Sequence, residues 1–373
     1  MRASFRLFRI AGIDIGIHYS WFFIFILFAW SLAQGFFPQK YPGWDVSTYW
    51  IIGLISAILL FVSVLIHELA HSLVARSRGL PVSGITLFIF GGVSNLQEEP
   101  ATASVEFSMA IVGPLTSLIL AGIFWGLLYT LSSRATPLGA VLYYLALINA
   151  LLAAFNLLPG FPLDGGRVLR SILWGTMKDL SKATNVAAMA GYILGWALVA
   201  FGVYSIFTGD FLGGLWIAFI GWFLSSAAES SRKQFNLKEH LTGIKVKDVM
   251  KTNPEIVSPD ATVDNVVRSI FYQNKGRAAL VLKDDQLSGI VTITDVKKLP
   301  HDKWAETRIE NIMTPVPLYS VSEESDLGSA MQLIDQHDVN QITVLRAGKV
   351  IGLLSRSDII RFLQVSQELG TKR

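Results

Sequence analysis

The chain has 373 residues, of which 52% are hydrophobic and 16% are charged, and its formal net charge is +3. This small charge, without a glycine-rich phosphate loop or a basic tract, argues against a nucleic-acid partner. There is no cysteine, so disulfides, thiolate metal sites and cysteine nucleophiles are excluded. Apolar residues dominate up to about residue 228, which excludes one ordinary soluble domain.

Six charge-poor apolar runs predict six membrane-spanning helices. They cover residues 17–37, 49–75, 107–131, 138–163, 186–208 and 211–228. The run that follows the N-terminal arginines continues as a full span, so a cleaved signal peptide is not expected. Lysine and arginine cluster at one set of helix ends, while the opposite loops carry only Lys40 and Arg134. We therefore expect a multi-pass protein of a prokaryotic cell membrane with both termini in the cytoplasm.

Two shorter stretches predict β structure at the membrane. Residues 3–17 alternate loosely and predict a short amphipathic hairpin at the membrane surface. Residues 83–97 are apolar but too short to span, and strand-forming side chains precede Gly91 and Gly92. We interpret residues 83–97 as a re-entrant hairpin packed against the helices, with a plain amphipathic loop as the alternative.

The second run carries His67, Glu68 and His71 in the pattern H-E-x-x-H. The histidines are one helical turn apart on one face, which is the spacing of two zinc ligands, and Glu68 beside them suits a general base. Histidines satisfied within a protein core are the alternative. Burying three such polar groups in a spanning helix is energetically costly, however, so a common function is expected for them. The position of Arg76 places this site inside the membrane, near its cytoplasmic edge.

A catalytic zinc ion usually has three protein ligands, and a carboxylate is a common third. Asp164 is the best candidate, since it ends the fourth apolar run on the same side of the membrane as His71. Prolines and glycines around it break the helix and allow a sharp turn. An aspartate that ends a helix before a glycine turn is the alternative. His18, at the start of the first run, is expected to be an interfacial anchor rather than a ligand.

Three motifs in order resemble the site-2 protease family of intramembrane zinc metalloproteases. They are HELAH in the second run, FIFGG at residues 88–92, and N-x-x-P-x-x-P-L-D-G-G at residues 156–166. The resemblance covers the whole membrane part of the chain. It implies an endopeptidase that cuts peptide bonds in or near transmembrane segments of membrane proteins. An exposed strand of the re-entrant hairpin would pair with the unwound substrate.

The resemblance also assigns roles to single residues. It implies that His67, His71 and Asp164 bind one Zn²⁺ ion and that Glu68 is the general base. Asn156 matches a family asparagine near the metal, and we interpret it as positioning the substrate or the developing oxyanion. An interhelical hydrogen bond is the alternative for Asn156.

The chain repeats itself after a polar linker or helix extension at residues 229–243. Two copies of about sixty residues, 244–300 and 307–365, predict paired strand–helix–strand–strand–helix units with a shared sheet face. At one offset, the copies pair Met250 with Met313, Gly289 with Gly352, and Asp295 with Asp358. This repeat resembles a tandem CBS-domain module. The expected domains are therefore 1–228 for the membrane protease, 229–243 for the linker and 244–373 for a regulatory module.

The CBS resemblance implies a ligand. In that family the last strand of each copy runs into a helix with the pattern T/S-x-x-D, which here places Thr292 with Asp295 and Ser355 with Asp358. The resemblance implies that these residues bind an adenine nucleotide such as ATP or AMP. Plain capping of the helix N-terminus is the alternative. CBS pairs often associate, so a homo-oligomer through this module is also expected.

The expected fold is a membrane α-helical domain of six spanning helices with a short re-entrant or membrane-surface β element, followed by a cytoplasmic α/β tandem CBS module. The leading function is an intramembrane zinc endopeptidase modulated by an adenine nucleotide. A CBS-gated transporter or channel is the alternative, and an inactive chaperone of membrane segments is a third. The ionisable groups cluster at one depth instead of lining a path, which favours the protease.

Overall fold

The computed structural model describes residues 4–89, 91–96, 99–131, 133–273, 276–284 and 286–368. Phe90 and Gln97 of the predicted hairpin lie outside the described residues. The chain divides into two compact units, Met1–Phe235 and Asn236–Arg373.

The described residues contain six helices that are long and apolar enough to cross a membrane, which confirms the predicted number. The six helices are α1 (Ser20–Lys40), α2 (Val46–Ser77), α3 (Ala103–Leu131), α4 (Pro137–Asn156), α6 (Leu180–Phe207) and α7 (Phe211–Leu241). A shorter helix, α5 (Asp164–Met177), lies between α4 and α6 in the chain. Within α1 the residues Leu32–Phe36 form a π-helical turn. Helix α4 stops at Asn156, although the apolar run continues to residue 163, because the prolines that follow cannot extend it.

The two predicted hairpins are joined in one four-stranded sheet. The sequence gives no sign of this union, since the hairpins are more than sixty residues apart. The strands are β1 (Phe5–Ile10), β2 (Ile13–Ile17), β3 (Val82–Phe88) and β4 (Gly91–Leu96), in the order β1-β2-β3-β4. β2 and β3 are parallel, whereas the other two pairs are antiparallel.

This sheet lies against helix α2. Ile13, Ile15 and Ile85 are buried and pack against Leu65 and Leu69 of the helix, just before and after the His67-Glu68 pair. Strand β4 is at the edge of the sheet and pairs only with β3 among the described residues. Apolar burial therefore holds the sheet, and its edge strand, beside the H-E-x-x-H motif.

The segment that precedes α5 is fixed to helix α6. The backbone N–H of Phe161 donates to the carbonyl of Ala187, 3.1 Å away. Gly160 and Gly191 allow the two backbones to touch, since a Cβ at Gly160 would lie 2.4 Å from the Cα of Gly191. This anchoring limits where the first residue of α5, Asp164, can stand.

The second unit contains the two predicted repeats. Its helices are α8 (Val263–Val266), α9 (Ile293–Val296), α10 (Leu327–His337) and α11 (Arg356–Glu368), and a π-helical segment, Val267–Gln273, continues α8. Short 3₁₀ turns lie at Val246–Asp248, His301–Lys303 and Ile309–Asn311. Its strands are β5 (Ile256–Val257), β6 (Ala278–Lys283), β7 (Gln286–Thr292), β8 (Thr314–Pro315), β9 (Ser320–Ser322), β10 (Gln341–Arg346) and β11 (Lys349–Ser355).

Each repeat completes the sheet of the other. Strand β8, from the start of the second repeat, pairs with β7 of the first. In return, Lys251 from the start of the first repeat forms a β-bridge with Leu353 of β11. The sheets have the orders β5-β6-β7-β8 and β11-β10-β9. The two copies are therefore interlocked by their leading segments.

Candidate metal centre

Three predicted ligands meet inside the first unit. The Nε2 atoms of His67 and His71 lie 3.2 Å apart, and each lies 3.1 Å from Oδ2 of Asp164. Both histidines belong to the buried face of α2, with 3% and 6% of their surface exposed. Asp164 is the first residue of α5. The structure thus brings together groups that are 93 and 97 residues apart in the chain.

The other nitrogen of each ring is already engaged. Nδ1 of His71 lies 2.6 Å from the carbonyl oxygen of Met109, and Nδ1 of His67 lies 2.9 Å from Oγ of Ser117. A carbonyl oxygen only accepts, so the ring of His71 donates through Nδ1, and in its neutral form it presents a lone pair at Nε2. This lone pair is aimed at the carboxylate and at the other ring.

These residues fit a zinc ion. A tetrahedral Zn²⁺ with bonds of about 2.0–2.1 Å separates its ligand atoms by roughly 3.3 Å, and the donor atoms here form a triangle with sides of 3.1–3.2 Å. Two imidazole nitrogens and one carboxylate oxygen form a ligand set that is found at catalytic zinc sites. A cation also removes the repulsion between electron pairs that converge in a buried place.

Glu68 stands beside this triangle and under strand β4. A Cβ placed on Gly92 of β4 would lie 2.4 Å from Cγ of Glu68, so a larger residue there would displace the side chain of Glu68. One turn later, the hydroxyl of Ser72 lies 2.9 Å from that of Ser94, also on β4. The candidate base, the candidate ligands and the edge strand β4 therefore share one small region.

Two further sequence candidates have hydrogen-bond partners outside the triangle. Asn156 ends α4, and its side-chain amide donates to the carbonyl of Leu152 in its own helix at 3.0 Å. Its role near the metal stays a prediction. His18 pairs with the hydroxyl of Ser20 at 2.8 Å and is not part of the ligand cluster found among the described residues.

The predicted nucleotide residues form helix caps in the second unit. The hydroxyl of Thr292 donates to Oδ2 of Asp295 at 2.7 Å and accepts from the backbone N–H of Asp295 at 3.3 Å. Ser355 and Asp358 repeat this box at the start of α11. Thr292 and Asp295 also line a cavity of about 310 Å³, whereas Ser355 and Asp358 do not. Their role in nucleotide binding stays a prediction.

Sequence reasoning missed the contribution of helix α3. Met109 and Ser117 form hydrogen bonds with the histidines and Gly113 leaves room for them; the signal in the sequence was Gly113 and Ser117, two small residues four positions apart. Arg170 is one of the arginines that the sequence places at the charged helix ends. That residue lies in α5, is 7% exposed, and forms an ion pair with Glu106, which is fully buried in the first turn of α3.

A histidine pair and a carboxylate arranged for one metal ion, with a second carboxylate beside them within a bundle of spanning helices, define a multi-pass membrane metalloenzyme. Comparison with known proteins gives the family. The model of peptidase family M50 matches residues 55–135 and 132–198, and the CBS-domain model matches residues 246–302 and 309–365.

Similar proteins match along nearly the whole chain. A relative in Synechocystis that carries the name of a zinc metalloprotease is 35% identical over 98% of this chain and 97% of its own length. Zinc metalloprotease MJ0392 of Methanocaldococcus jannaschii is 30% identical over 99% of both chains. The solved site-2 protease from that organism matches with 30% identity and a TM-score of 0.43, over 61% of this chain and 94% of its own.

The chain belongs to peptidase family M50, the site-2 protease family, and carries a tandem pair of CBS domains. It is a zinc metalloprotease of a membrane, and thus an enzyme rather than the transporter or channel considered as the alternative.

Proposed function

We propose that this enzyme hydrolyses peptide bonds in or near transmembrane segments of other membrane proteins. The observation that carries the proposal is the position of the ligand triangle, two of whose members lie within the 32-residue apolar helix α2. A bond must reach this depth to be cut, and membrane segments are the chains that reside there. The charge distribution of the loops supports a site near the cytoplasmic side of a prokaryotic cell membrane, with both termini cytoplasmic.

The residues of the site have two separate chemical roles, metal binding and proton transfer. His67, His71 and Asp164 would hold the metal, which supplies Lewis acidity when bound and makes hydroxide available near neutral pH. Glu68 follows His67 directly on α2 and is the group that would take a proton from the attacking water and later give it to the leaving amine. Helix α2 fixes Glu68 next to His67, so the base moves little relative to the ligands.

Strand β4 is the proposed guide for the substrate. A transmembrane helix hides its carbonyl groups in internal hydrogen bonds and must unwind before attack. Among the described residues β4 pairs only with β3, so its other edge, beside Glu68, could take an extended segment that keeps its own backbone satisfied.

The primary test compares the wild type with Glu68→Gln for zinc content and for cleavage of a model membrane substrate. We expect Glu68→Gln to retain zinc and to lose activity by about 10²–10⁴-fold. His67→Ala should lose zinc as well as activity, whereas His18→Ala, the control for a histidine outside the cluster, should lose neither. Equal cleavage by Glu68→Gln and wild type would overturn the proposal.

The guide strand has its own test. Val93→Pro removes one backbone N–H from β4, and Val93→Ala is its control with every N–H retained. We expect Val93→Pro to slow cleavage of a helical membrane substrate more than cleavage of a short unstructured peptide. Unchanged cleavage of the membrane substrate, with zinc retained, would contradict the role of β4.

We further propose that an adenine nucleotide binds the second unit at the cavity lined by Thr292 and Asp295. The cavity of about 310 Å³ falls at the lower end of the range of small-molecule sites, and Lys298 at its wall suits a phosphate. A pair of such modules from two copies of the chain would form the expected homo-oligomer. Addition of AMP or ATP should raise the unfolding temperature of the second unit and change the rate of proteolysis. No change in either measurement would refute the sensor role.

A further inference from the structure

Helix α3 supplies no candidate metal ligand, yet one of its faces touches both candidate histidines. Met109, Gly113 and Ser117 follow one another at intervals of four residues, so they lie in one row along the helix. All three are buried, with 1% of the surface of Met109 exposed and none of that of Ser117. The row therefore faces helix α2 and the ligand triangle.

The first and last members of this row take the outer nitrogens of the rings. The carbonyl of Met109 accepts from Nδ1 of His71, and the hydroxyl of Ser117 lies 2.9 Å from Nδ1 of His67. A histidine that binds metal through Nε2 must carry its proton on Nδ1 and needs an acceptor there. Met109 and Ser117 occupy these two acceptor positions.

The hydroxyl of Ser117 differs from its neighbours in the bundle. Ser63, Ser72 and Thr116 each donate to the carbonyl four residues earlier in their own helix, at 2.8–2.9 Å. This is the usual way to satisfy a hydroxyl in a membrane helix. Within the described residues, the hydrogen bond of Ser117 goes instead to another helix, to the ring of His67.

The middle member of the row leaves room for the rings. A Cβ on Gly113 would stand 2.1 Å from Nε2 of His71 and 2.7 Å from Nε2 of His67. The backbone of α3 thus approaches the ligand atoms as closely as glycine permits. This contact and the two hydrogen bonds fix both ring planes from the same side.

We infer that Ser117 is a positioning residue of the metal centre: its hydroxyl oxygen accepts a hydrogen bond from the Nδ1–H of His67 and so keeps the Nε2 electron pair directed at the metal. This inference rests on the proposed zinc site. Ser117 lies outside the H-E-x-x-H motif.

The experiment measures the zinc affinity of the full-length protein in detergent, after removal of the metal, by competition with a chelator. Loss of an outer hydrogen-bond partner of a metal-binding histidine weakens metal binding by about 10–100-fold. We expect this loss for Ser117→Ala and near-normal affinity for Ser117→Thr, which keeps the hydroxyl. Ser56→Ala is the matched control, since Ser56 is fully buried on α2 and its hydroxyl has no hydrogen-bond partner among the described residues.

The outcomes distinguish a failure of the proposed function from a failure of the positioning role of Ser117. If the wild type itself binds no zinc, the proposed function fails. If the wild type binds zinc and Ser117→Ala binds it within about twofold of the wild type, only the positioning role fails. Equal losses for Ser117→Ala and Ser117→Thr would also overturn this role, because packing rather than the hydroxyl would then explain the effect. The absorption spectrum of the Co²⁺-loaded protein gives a second readout, and it should change in Ser117→Ala but not in Ser56→Ala.

Discussion

In the first unit, the atoms of His67, His71 and Asp164 that could bind a metal face one another. In the second unit, the carboxylates of Asp295 and Asp358 instead accept hydrogen bonds within their own helix caps. The triangle of the first unit leaves converging electron pairs unsatisfied unless a cation joins them. The capping boxes of the second unit are satisfied as they stand. A buried site that is incomplete without its ligand is strong support for that ligand, while a complete one gives weaker support.

The largest effect should come from filling the space beside the triangle. Gly113→Ala would place a methyl group 2.1 Å from Nε2 of His71, about the length of a Zn–N bond, and 2.7 Å from Nε2 of His67. We expect zinc binding to fall by more than the ~10–100-fold typical of a lost outer hydrogen bond, with activity at background.

Gly126→Ala on the same helix is the control, because a Cβ there meets nothing within 4 Å. Zinc content measured on both purified variants decides the matter. If Gly113→Ala keeps its zinc, the triangle is not the metal site.

Ion pairs provide the next contrast between the units. Glu106 and Arg170 are buried in the first unit, whereas the side chains of Arg308 and Asp260 in the second are 57% and 68% exposed. Arg170→Met leaves the carboxylate of Glu106 buried without this partner and should cost about 3–5 kcal/mol of unfolding free energy. Arg308→Met should cost about 0–1 kcal/mol, since water screens that pair. Unfolding titrations of both variants test the difference, and similar losses would show that burial does not separate the pairs.

A smaller effect is expected from the helix caps. Thr292→Ala and Ser355→Ala should each lower the stability of the second unit by about 1 kcal/mol and leave the zinc content unchanged. Only Thr292 lines the cavity, so Thr292→Ala alone should weaken the stabilisation by AMP. Thermal unfolding with and without AMP measures both effects. Equal loss of the AMP effect in the two variants would place the nucleotide elsewhere.

The smallest effect concerns pH. The hydrogen bond from Arg346 holds the pKa of the Glu323 carboxyl below its ordinary value, although partial burial opposes this. The unfolded chain therefore takes up the proton first as the pH falls. The stability that this pair adds is complete above the ordinary glutamate pKa and is lost as the pH falls through the lowered value. The unfolding temperature of the second unit should follow this course between pH 7 and pH 3, and Glu323→Gln should flatten it. An unchanged slope in Glu323→Gln would assign the effect to other carboxylates.

The number of spanning helices and the candidate ligands followed from the sequence because both depend on short patterns. Apolar runs define the spans, and H-E-x-x-H places two side chains on one helix face whatever surrounds them. The contacts of Ser117 and Met109 could not be predicted in this way. They join helices across 50 and 38 residues, and no local pattern encodes which turn of α3 meets which turn of α2.

The second unit shows the same limit. Its repeat was visible as one constant offset, which pairs Gly289 with Gly352. The structure adds a crossing that an offset cannot reveal. A Cβ on Gly289 would lie 2.5 Å from the carbonyl oxygen of Thr314, and one on Gly352 would lie 2.6 Å from that of Lys251, so each glycine makes room for the leading backbone segment of the other copy.

The open edge of β4 has a consequence for the choice of substrates. Backbone N–H and C=O groups are the same in every amino acid, so an edge that reads them discriminates poorly between side chains. Selection would then depend on how readily the hydrogen bonds of a membrane helix break. Glycine and proline make this easier because they destabilise the helix. A protease of this kind would select its substrates by the local stability of their helices as much as by any sequence motif at the cleavage site.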